Sequence, residues 1–386
     1  MALINDSQTL ADFCRRLAGT EFVTVDTEFM REKTYWAKLC LIQVGGPDEA
    51  QAIDSLAPDM DLKPLFALLR DKKVLKVFHA ARQDLEIFYH LMGSLPEPVF
   101  DTQVAAMVCG FGESVGYETL VTKLTKARID KASRFTDWTL RPLSARQIKY
   151  ALEDVSHLRE VYEKLKKRLE ATGHADWLDE EMGTLTNPKT YAMDPDQAYK
   201  RIKTRGGNPR FLAVLRELTA WREREAQQLD LPRNRVLCDE ALVEIAHHTP
   251  TTVEELLRTR GLGKKLAESE RGATLLAAIQ KGLALPDADC PKPPPRTDLP
   301  RSLGPVIDLM KVLLKMKCED FEVAQKLVAS AADVERIAAL GEDAGVPALK
   351  GWRRQVFGED ALKLRAGAIG LAADGKGLKT VPLKGR

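Results

Sequence analysis

The sequence predicts a multidomain protein in which an α/β domain is followed by two all-α domains. Strand-like runs of β-branched and aromatic residues occur only before about residue 175, where they alternate with helical patterns. Beyond that point apolar residues recur at helical spacing alone, and a stretch with six prolines interrupts them at residues 286–300. At roughly 150 residues per domain, 386 residues are enough for two or three domains.

The strands and the main helices of the α/β domain can be located in order. Strands are predicted at residues 22–29, 39–44, 52–54 and 74–79. The first two are expected to be neighbours joined by a charged loop. An amphipathic helix is predicted to follow the last strand and to end near Gly93. A long helix is predicted from its N-cap Ser144 to about Gly173.

The same patterns give the expected domain boundaries. These are an α/β domain at 1–175, a helical and basic connector at 176–207, a first helical domain at 208–285, a Pro-rich linker at 286–300, a second helical domain at 301–372 and a flexible tail at 373–386.

Composition excludes several classes of protein. No apolar run approaches the roughly 18 residues that a membrane span needs, and no signal peptide is visible at the N-terminus. Six scattered cysteines without a C-x-x-C pair are typical of reduced thiols and predict a cytoplasmic location. The net charge of +2 is the sum of a net charge of −4 over residues 1–180 and of +6 over the remaining residues. The two halves are therefore expected to have different functions.

Two carboxylates lie two residues apart in the first predicted strand. Because side chains alternate along a strand, Asp26 and Glu28 point to the same face of the sheet. Like charges bracketed by apolar residues are costly unless a cation neutralises them. A solvent-facing strand would show the same spacing, so both interpretations stand for this pair alone. For Asp84, at the start of the next helix, a helix cap or a partner of the helix dipole is the simpler interpretation when the residue is taken alone.

The long helix carries Tyr150 and Asp154 at i, i+4 spacing, which places them on one face. Asp154 interrupts an apolar stripe and therefore needs a partner. Together, four carboxylates from a strand and two helices are the hard oxygen ligands with which proteins hold Mg²⁺ or Mn²⁺. In phosphoryl chemistry two such ions lie roughly 3.5–4 Å apart, one activating water and the other stabilising the leaving oxygen.

Three motifs contain these residues: Val25–Phe29, Phe78–Phe88 and Tyr150–Val155. Their order and flanks resemble the DEDD superfamily of 3′→5′ exonucleases, and within it the ribonuclease D family. Intervening stretches that strengthen the resemblance are residues 31–36, 41–43, 101–103, 136–138 and 141–143. The resemblance covers about residues 20–175 and implies a ribonuclease H-like fold with a central mixed sheet.

The resemblance also implies roles for the site residues. Asp26, Glu28, Asp84 and Asp154 would bind two divalent metal ions, and Tyr150 would orient the attacking water or help to deprotonate it. The position of Tyr150, four residues before the last acid, matches the Tyr subtype of the superfamily.

One departure from the family pattern lies inside the third motif. Leu152 and Glu153 stand where ribonuclease D usually has small residues, which could alter the packing behind the site. Lys149 stands where the His subtype has its histidine. Asp101, at the start of another helical pattern, is predicted to be its N-cap.

Five further residues near the motifs are candidate substrate contacts. Phe29, Tyr35 and Trp36 could stack on terminal bases, although core packing is an equal possibility for Phe29, and Tyr35 and Trp36 are expected in an exposed loop. Thr27 is a candidate by its place between the two acids. His79 ends a strand, where a hydrogen-bonded core residue is the simpler interpretation.

A basic stretch precedes the first helical domain and contains Lys200, Arg201, Lys203, Arg205 and Arg210. Alone, it would be a solvated surface. With residues 221–226 and 230–237 it resembles the opening of an HRDC domain, and residues 351–358 resemble part of a more diverged second one. This implies sequence-independent, salt-sensitive contacts with the RNA backbone.

The expected function is that of a 3′→5′ exoribonuclease that uses two divalent ions and releases nucleoside 5′-monophosphates. The expected partner is RNA with an accessible 3′ end, such as a tRNA precursor, and no membrane or nucleotide cofactor is expected. We expect a cytoplasmic location, and the sequence leaves the oligomeric state open, with a monomer slightly favoured. The alternatives are a DNA-directed 3′→5′ exonuclease, which would share the fold, and a catalytically inactive RNA-binding scaffold, which the complete set of site residues disfavours.

Overall fold

The computed structural model describes residues 3–129, 136–204, 206–293 and 300–383. An α/β domain comes first and two helical units follow, which confirms the predicted fold class. In the described part of the chain, no helix has both the length and the apolar character that crossing a membrane requires. All six cysteines are free thiols.

The α/β domain is built on a six-stranded sheet. Its strands are β1 (Leu3–Ile4), β2 (Phe22–Met30), β3 (Lys38–Gly45), β4 (Ala50–Ile53), β5 (Leu75–Phe78) and β6 (Val99–Asp101). Its helices are α1 (Ser7–Leu17), α2 (Lys63–Arg70), α3 (Arg82–Met92), α4 (Thr102–Val108), α5 (Tyr117–Thr125), α6 (Ala145–Thr172) and α7 (Ala175–Leu185).

The strand order is β1-β4-β3-β2-β5-β6. β2 pairs antiparallel with β3 and parallel with β5, so the sheet is mixed, as expected, and β2 lies near its middle. Val23 and Val25 point from β2 into a core shared with α1, α2 and α3. The alternate residues Thr24, Asp26 and Glu28 therefore face the opposite side, where α6 packs against β2 to β5.

Helix α6 is fixed at both ends by local sequence. Ser144 and Gln147 form a reciprocal capping box at its N-terminus, and Gly173 closes its C-terminus in the left-handed conformation with φ 71°. A buried stripe that includes Val155 and Leu158 packs on the sheet. This confirms the predicted long helix.

The first helical unit surrounds one long central helix. Its helices are α8 (Pro209–Leu229), α9 (Arg233–Val236), α10 (Asp239–His248), α11 (Val253–Leu256), α12 (Lys264–Ala267) and α13 (Glu270–Ala284). Short 3₁₀ turns at Pro188–Thr190 and Pro195–Arg201 precede it, and another at Asp287–Asp289 follows it. Its core contains Leu215, Leu218 and Leu242 together with Tyr35 from the α/β domain.

The second helical unit has its own core around Met310, Leu313 and Phe357. Its helices are α14 (Gly304–Asp320), α15 (Gln325–Val328), α16 (Ala331–Leu340), α17 (Gly351–Arg353) and α18 (Glu359–Arg365), with 3₁₀ turns at Arg301–Leu303, Gly341–Ala344 and Pro347–Leu349 and a π-helical turn at Arg354–Gly358.

The end of the chain differs from the prediction. Residues 373–382 were expected to belong to a flexible tail, but they are part of an antiparallel hairpin of β7 (Ile369–Asp374) and β8 (Gly377–Pro382); residues 384–386 of the predicted tail lie outside the described residues. Gly375, with φ 62°, occupies the turn, so the Gly-rich composition that suggested flexibility instead permits the hairpin. Ile369 and Leu371 pack against the second helical core.

Candidate active site

Three of the four predicted acids meet at one point between β2 and α6. Carboxylate oxygens of Asp26, Glu28 and Asp154 all lie within 4.8 Å of one another, and the three side chains are half-buried. Asp26 and Glu28 come from the central strand and Asp154 from the helix that crosses it. Burial raises the pKa of Asp26 to about 6.

Asp84 lies outside this group of three but is electrostatically linked to it. It is in the first turn of α3, is 6% exposed, and accepts a hydrogen bond from the Thr27 hydroxyl. The pKa of Asp84 is well above its usual range, mainly because the carboxylate is buried and secondly because Asp26 is negatively charged. Buried carboxylates that repel one another are stabilised by a cation, so these residues fit a site for divalent metal.

Tyr150 lies one turn before Asp154 and faces the same acids. Burial, followed by the charges of Asp154, Glu28 and Asp26, holds the pKa of Tyr150 well above its usual range. Its hydroxyl also forms a hydrogen bond with Asp154, and its ring lies 6.2 Å from the Trp138 ring.

The unusual residues of the third motif leave this geometry intact. Leu152 joins an apolar cluster with Trp138 and Ala151. Glu153 pairs with Lys149 one turn earlier, with 3.8 Å between Oε1 and Nζ.

The turn that presents Asp84 is held by Asp101. Its Oδ1 accepts from the N–H of Gln103, which makes it the N-cap of α4 as predicted. The same carboxylate also accepts from the N–H groups of Ala80 (3.0 Å) and Ala81 (2.8 Å) just before α3. Ala80 has φ 58°, a strained conformation that these bonds stabilise. This second role was not visible in the sequence, because it joins segments 20 residues apart.

A cleft of about 420 Å³ opens over the acids. Residues that line it include Asp26, His79, Gln103, Tyr117, Tyr150 and Asp154. His79 is half-buried, its Nδ1 lies 3.0 Å from Thr102 Oγ1, and burial lowers its pKa. His79 is therefore a hydrogen-bonded residue in the wall of the cleft.

The aromatic residues after the first motif are not in the expected surroundings. Tyr35 was expected in an exposed loop, but it is 5% exposed and lies in the core of the first helical unit. Its hydroxyl contacts Glu223, Gln227 and Arg233. The prediction that Tyr35 is available to stack on a base is therefore wrong for this structure.

The two neighbouring aromatic candidates also have protein partners. The Trp36 ring stacks on His90 of α3, with 3.9 Å between ring centroids. Phe29 is half-buried against the core of the α/β domain.

The basic residues divide into two groups. Lys200, Arg201 and Lys203 are exposed. Arg210 instead donates to the carbonyl oxygens of Gly282, Leu283 and Leu285 and pairs with Asp287, so it closes the C-terminal end of α13. Arg210 therefore has a structural role that the sequence did not show, and its contact with RNA stays a prediction. Arg205 lies outside the described residues.

The mixed sheet carries two acids on its central strand, and flanking helices carry two more, with a Tyr one turn before the last acid. This arrangement defines a 3′→5′ exonuclease of the DEDD class. Comparisons with known proteins agree. A family model for 3′-5′ exonucleases matches residues 1–170, and a model for the HRDC domain matches residues 211–279.

Full-length relatives identify the family. The chain is 52% identical to ribonuclease D of Granulibacter bethesdensis over 98% of this chain and 96% of that protein. It is 49% identical to ribonuclease D of Gluconacetobacter diazotrophicus with the same coverage. The chain also matches the crystal structure of Escherichia coli RNase D, an exoribonuclease involved in structured RNA processing, with a TM-score of 0.80. The two sequences are 30% identical, and the match covers 95% of this chain and 98% of that one. The chain belongs to the ribonuclease D family and is a 3′→5′ exoribonuclease.

Proposed function

We propose that this enzyme trims the 3′ ends of structured RNAs, tRNA precursors among them, by hydrolysis that depends on two Mg²⁺ or Mn²⁺ ions and releases nucleoside 5′-monophosphates. It acts as a cytoplasmic monomer. The observation that carries the proposal is the group of three carboxylates within 4.8 Å, beside the buried Asp84, in an open cleft. The cleft volume lies in the range of about 300–1,000 Å³ typical of small-ligand sites, which suits one terminal nucleotide.

The proposed roles follow from position. Asp26, Glu28, Asp84 and Asp154 would hold the ions, which when bound activate water and stabilise the leaving oxygen. Tyr150 would orient the attacking water, since it lines the cleft and its hydroxyl forms a hydrogen bond with Asp154. Thr27 holds the carboxylate of Asp84 in one rotamer through its hydroxyl, which limits the movement of that ligand.

A digestion series would test the proposal. A tRNA precursor, a single-stranded RNA and a single-stranded DNA, each labelled at the 5′ end, would be incubated with Mg²⁺, Mn²⁺ or excess chelator. We expect stepwise shortening of both RNAs, mononucleotide products and no reaction in chelator. A marked preference for DNA would instead support the DNA-directed alternative. Binding of RNA without turnover in either metal would support an inactive scaffold.

Replacing Tyr150 by Phe should lower kcat by about 100-fold, because a positioned proton-transfer or water-orienting group typically contributes 10²–10⁴-fold. The ring and its packing beside Trp138 are retained, and the four acids are untouched. We therefore expect KM for RNA and the affinity for Mn²⁺ to stay within about threefold of the wild-type values. Steady-state kinetics with calorimetric titration of Mn²⁺ would check this. An unchanged kcat would exclude the proposed role.

The connector should contribute to RNA binding through charge alone. Changing Lys200, Arg201 and Lys203 together to Gln should weaken binding similarly for all RNA sequences and should reduce the slope of log K against log[salt] by about 2–3. Fluorescence anisotropy at several salt concentrations would measure the slope. Hydrolysis of a p-nitrophenyl ester of a nucleoside 5′-monophosphate is the control, because this substrate does not reach the connector. An unchanged slope would show that RNA bypasses this segment.

A further inference from the structure

Helix α6 must be placed accurately against β2, because one acid of the site lies on the helix and two lie on the strand. Asp154 is more than 120 residues away from Asp26 and Glu28 in the chain, so only tertiary contacts set their separation. The buried stripe of α6 supplies apolar packing, but this attraction is not directional. Hydrogen bonds have narrow limits of distance and angle and can define the register.

The first such bond comes from β2 itself. Thr24 is fully buried and lies two residues before Asp26, on the same face of the strand. Its Oγ1 donates to the carbonyl oxygen of Val155 on α6 at 2.8 Å. A side chain at Gly45 of β3 would collide with Thr24 Oγ1 and approach Val155 O to 3.2 Å. The absence of a Cβ at Gly45 therefore allows this close approach of helix to sheet.

The second bond comes from the first residue of α5. The hydroxyl of Tyr117 donates to the carbonyl oxygen of Asp154 at 2.6 Å and lies 3.2 Å from that of Glu153. The Tyr117 ring is 5.4 Å from the His79 ring and lines the active-site cleft. Thr24 on β2 and Tyr117 on α5 thus donate to consecutive carbonyl groups of α6, those of Val155 and Asp154.

These two hydroxyls are not needed to form the helix. Each backbone carbonyl has two lone pairs, so it can accept a hydroxyl in addition to its helical N–H partner. The capping box and the C-terminal Gly173 already define the ends of α6. What the hydroxyls add is a fixed position of residues 153–155 relative to β2 and α5.

We propose that Thr24 and Tyr117 are positioning residues of the active site, which hold the Asp154 carboxylate at the correct distance from Asp26 and Glu28 for metal binding. This inference rests on the proposed metal-dependent function. A displacement of about 1 Å in a catalytic group can cost about 100-fold in rate, and loss of a residue that orients a metal ligand typically costs 10–100-fold in metal affinity or activity.

The test removes each hydroxyl with little change in shape, by Thr24→Val and Tyr117→Phe. We expect Mn²⁺ affinity, measured by calorimetry without RNA, to fall 10-fold or more in each variant. We expect kcat to fall by a similar factor while KM for RNA changes less than threefold. Thr24→Ser keeps the hydroxyl but lacks the methyl group, and it should retain most of the wild-type Mn²⁺ affinity. If Thr24 acted only through the packing of its methyl group, Thr24→Ser would lose affinity and Thr24→Val would not.

Two matched controls remove buried hydroxyls elsewhere. Tyr162→Phe changes a buried tyrosine of α6, two turns after Asp154, and Thr219→Val removes a hydroxyl that bonds to Leu215 O in α8. Both should keep wild-type Mn²⁺ affinity and kcat. Wild-type Mn²⁺ affinity in Thr24→Val and Tyr117→Phe, or an equal loss in the controls, would overturn the inference. If the wild-type chain binds Mn²⁺ but does not degrade RNA, the proposed function fails while the Mn²⁺ affinities still decide the positioning role.

Discussion

Asp26→Asn should reduce RNA hydrolysis by about a thousandfold or more, equivalent to about 4 kcal/mol of transition-state stabilisation. Asp26 is central to the site, because its carboxylate lies within 4.8 Å of those of Glu28 and Asp154 and its charge acts on Asp84. The amide keeps the size of the side chain but removes one anionic ligand. Single-turnover hydrolysis of 5′-labelled RNA would measure the loss, and anisotropy would show that RNA still binds.

The same substitution should increase the stability of the metal-free protein. Removing one of several buried like charges relieves repulsion that folding otherwise has to overcome, so we expect a higher Tm in chelator. Activity and stability would then change in opposite directions, as is common at functional sites. Asp48→Asn, at an exposed position, is the matched control and should change neither. Substantial activity in Asp26→Asn would contradict the assignment of the site.

Arg233→Met should destabilise the first helical unit, at the place where Tyr35 of the α/β domain enters its core, by about 2–3 kcal/mol, because the buried carboxylate of Glu223 then loses its main charged partner. The Arg233 guanidinium donates to both carboxylate oxygens of Glu223, each at 2.6 Å, and also lies over the Tyr35 ring at 4.7 Å. The Glu223 side chain is only 1% exposed. Asp230 completes the contact by accepting from the backbone N–H groups of Tyr35 and Trp36.

Urea unfolding would measure this loss as a lower midpoint for the helical unit. Arg224→Met is the control, because Arg224 pairs with Asp196 at the surface, where both side chains are 55% exposed and an ion pair is worth about 0–1 kcal/mol. Adding Glu223→Gln to Arg233→Met should restore part of the stability, since the uncompensated charge is then gone. Equal midpoints for the Arg233 and Arg224 variants would refute the expectation.

The stability that the Glu223 carboxylate contributes should fall when the pH is lowered. Burial alone would raise the pKa of Glu223, but hydrogen bonds from Arg233 and Tyr35 outweigh it and the pKa is lowered. A carboxylate whose pKa is lower in the folded than in the unfolded state stabilises the fold above its unfolded pKa, which is about 4.3. That contribution is lost as the pH falls through the lower, folded value, so the contact should persist at neutral pH and weaken only in acid.

Much of the site could be predicted because its residues have local signatures. The spacing of Asp26 and Glu28 in a strand, and of Tyr150 and Asp154 in a helix, follows from the two backbone periods. The capping box at Ser144 is likewise local. Predictions that depended on surroundings were less successful. Arg210 has the same charge as Lys200, but only its neighbours in space show that it closes a helix end.

The sequence by itself determined the fold class, the two kinds of secondary-structure unit and which four acids are candidates for the site, because side-chain period, caps and motif order are properties of neighbouring residues. The tertiary structure alone decided that Tyr35 anchors the first helical unit, that Asp101 holds the turn before Asp84, and that Thr24 and Tyr117 hold α6. Each of these contacts joins segments that are well separated in the chain. Their partners are backbone carbonyls, backbone N–H groups or buried side chains, and such groups acquire a specific partner only when the chain has folded.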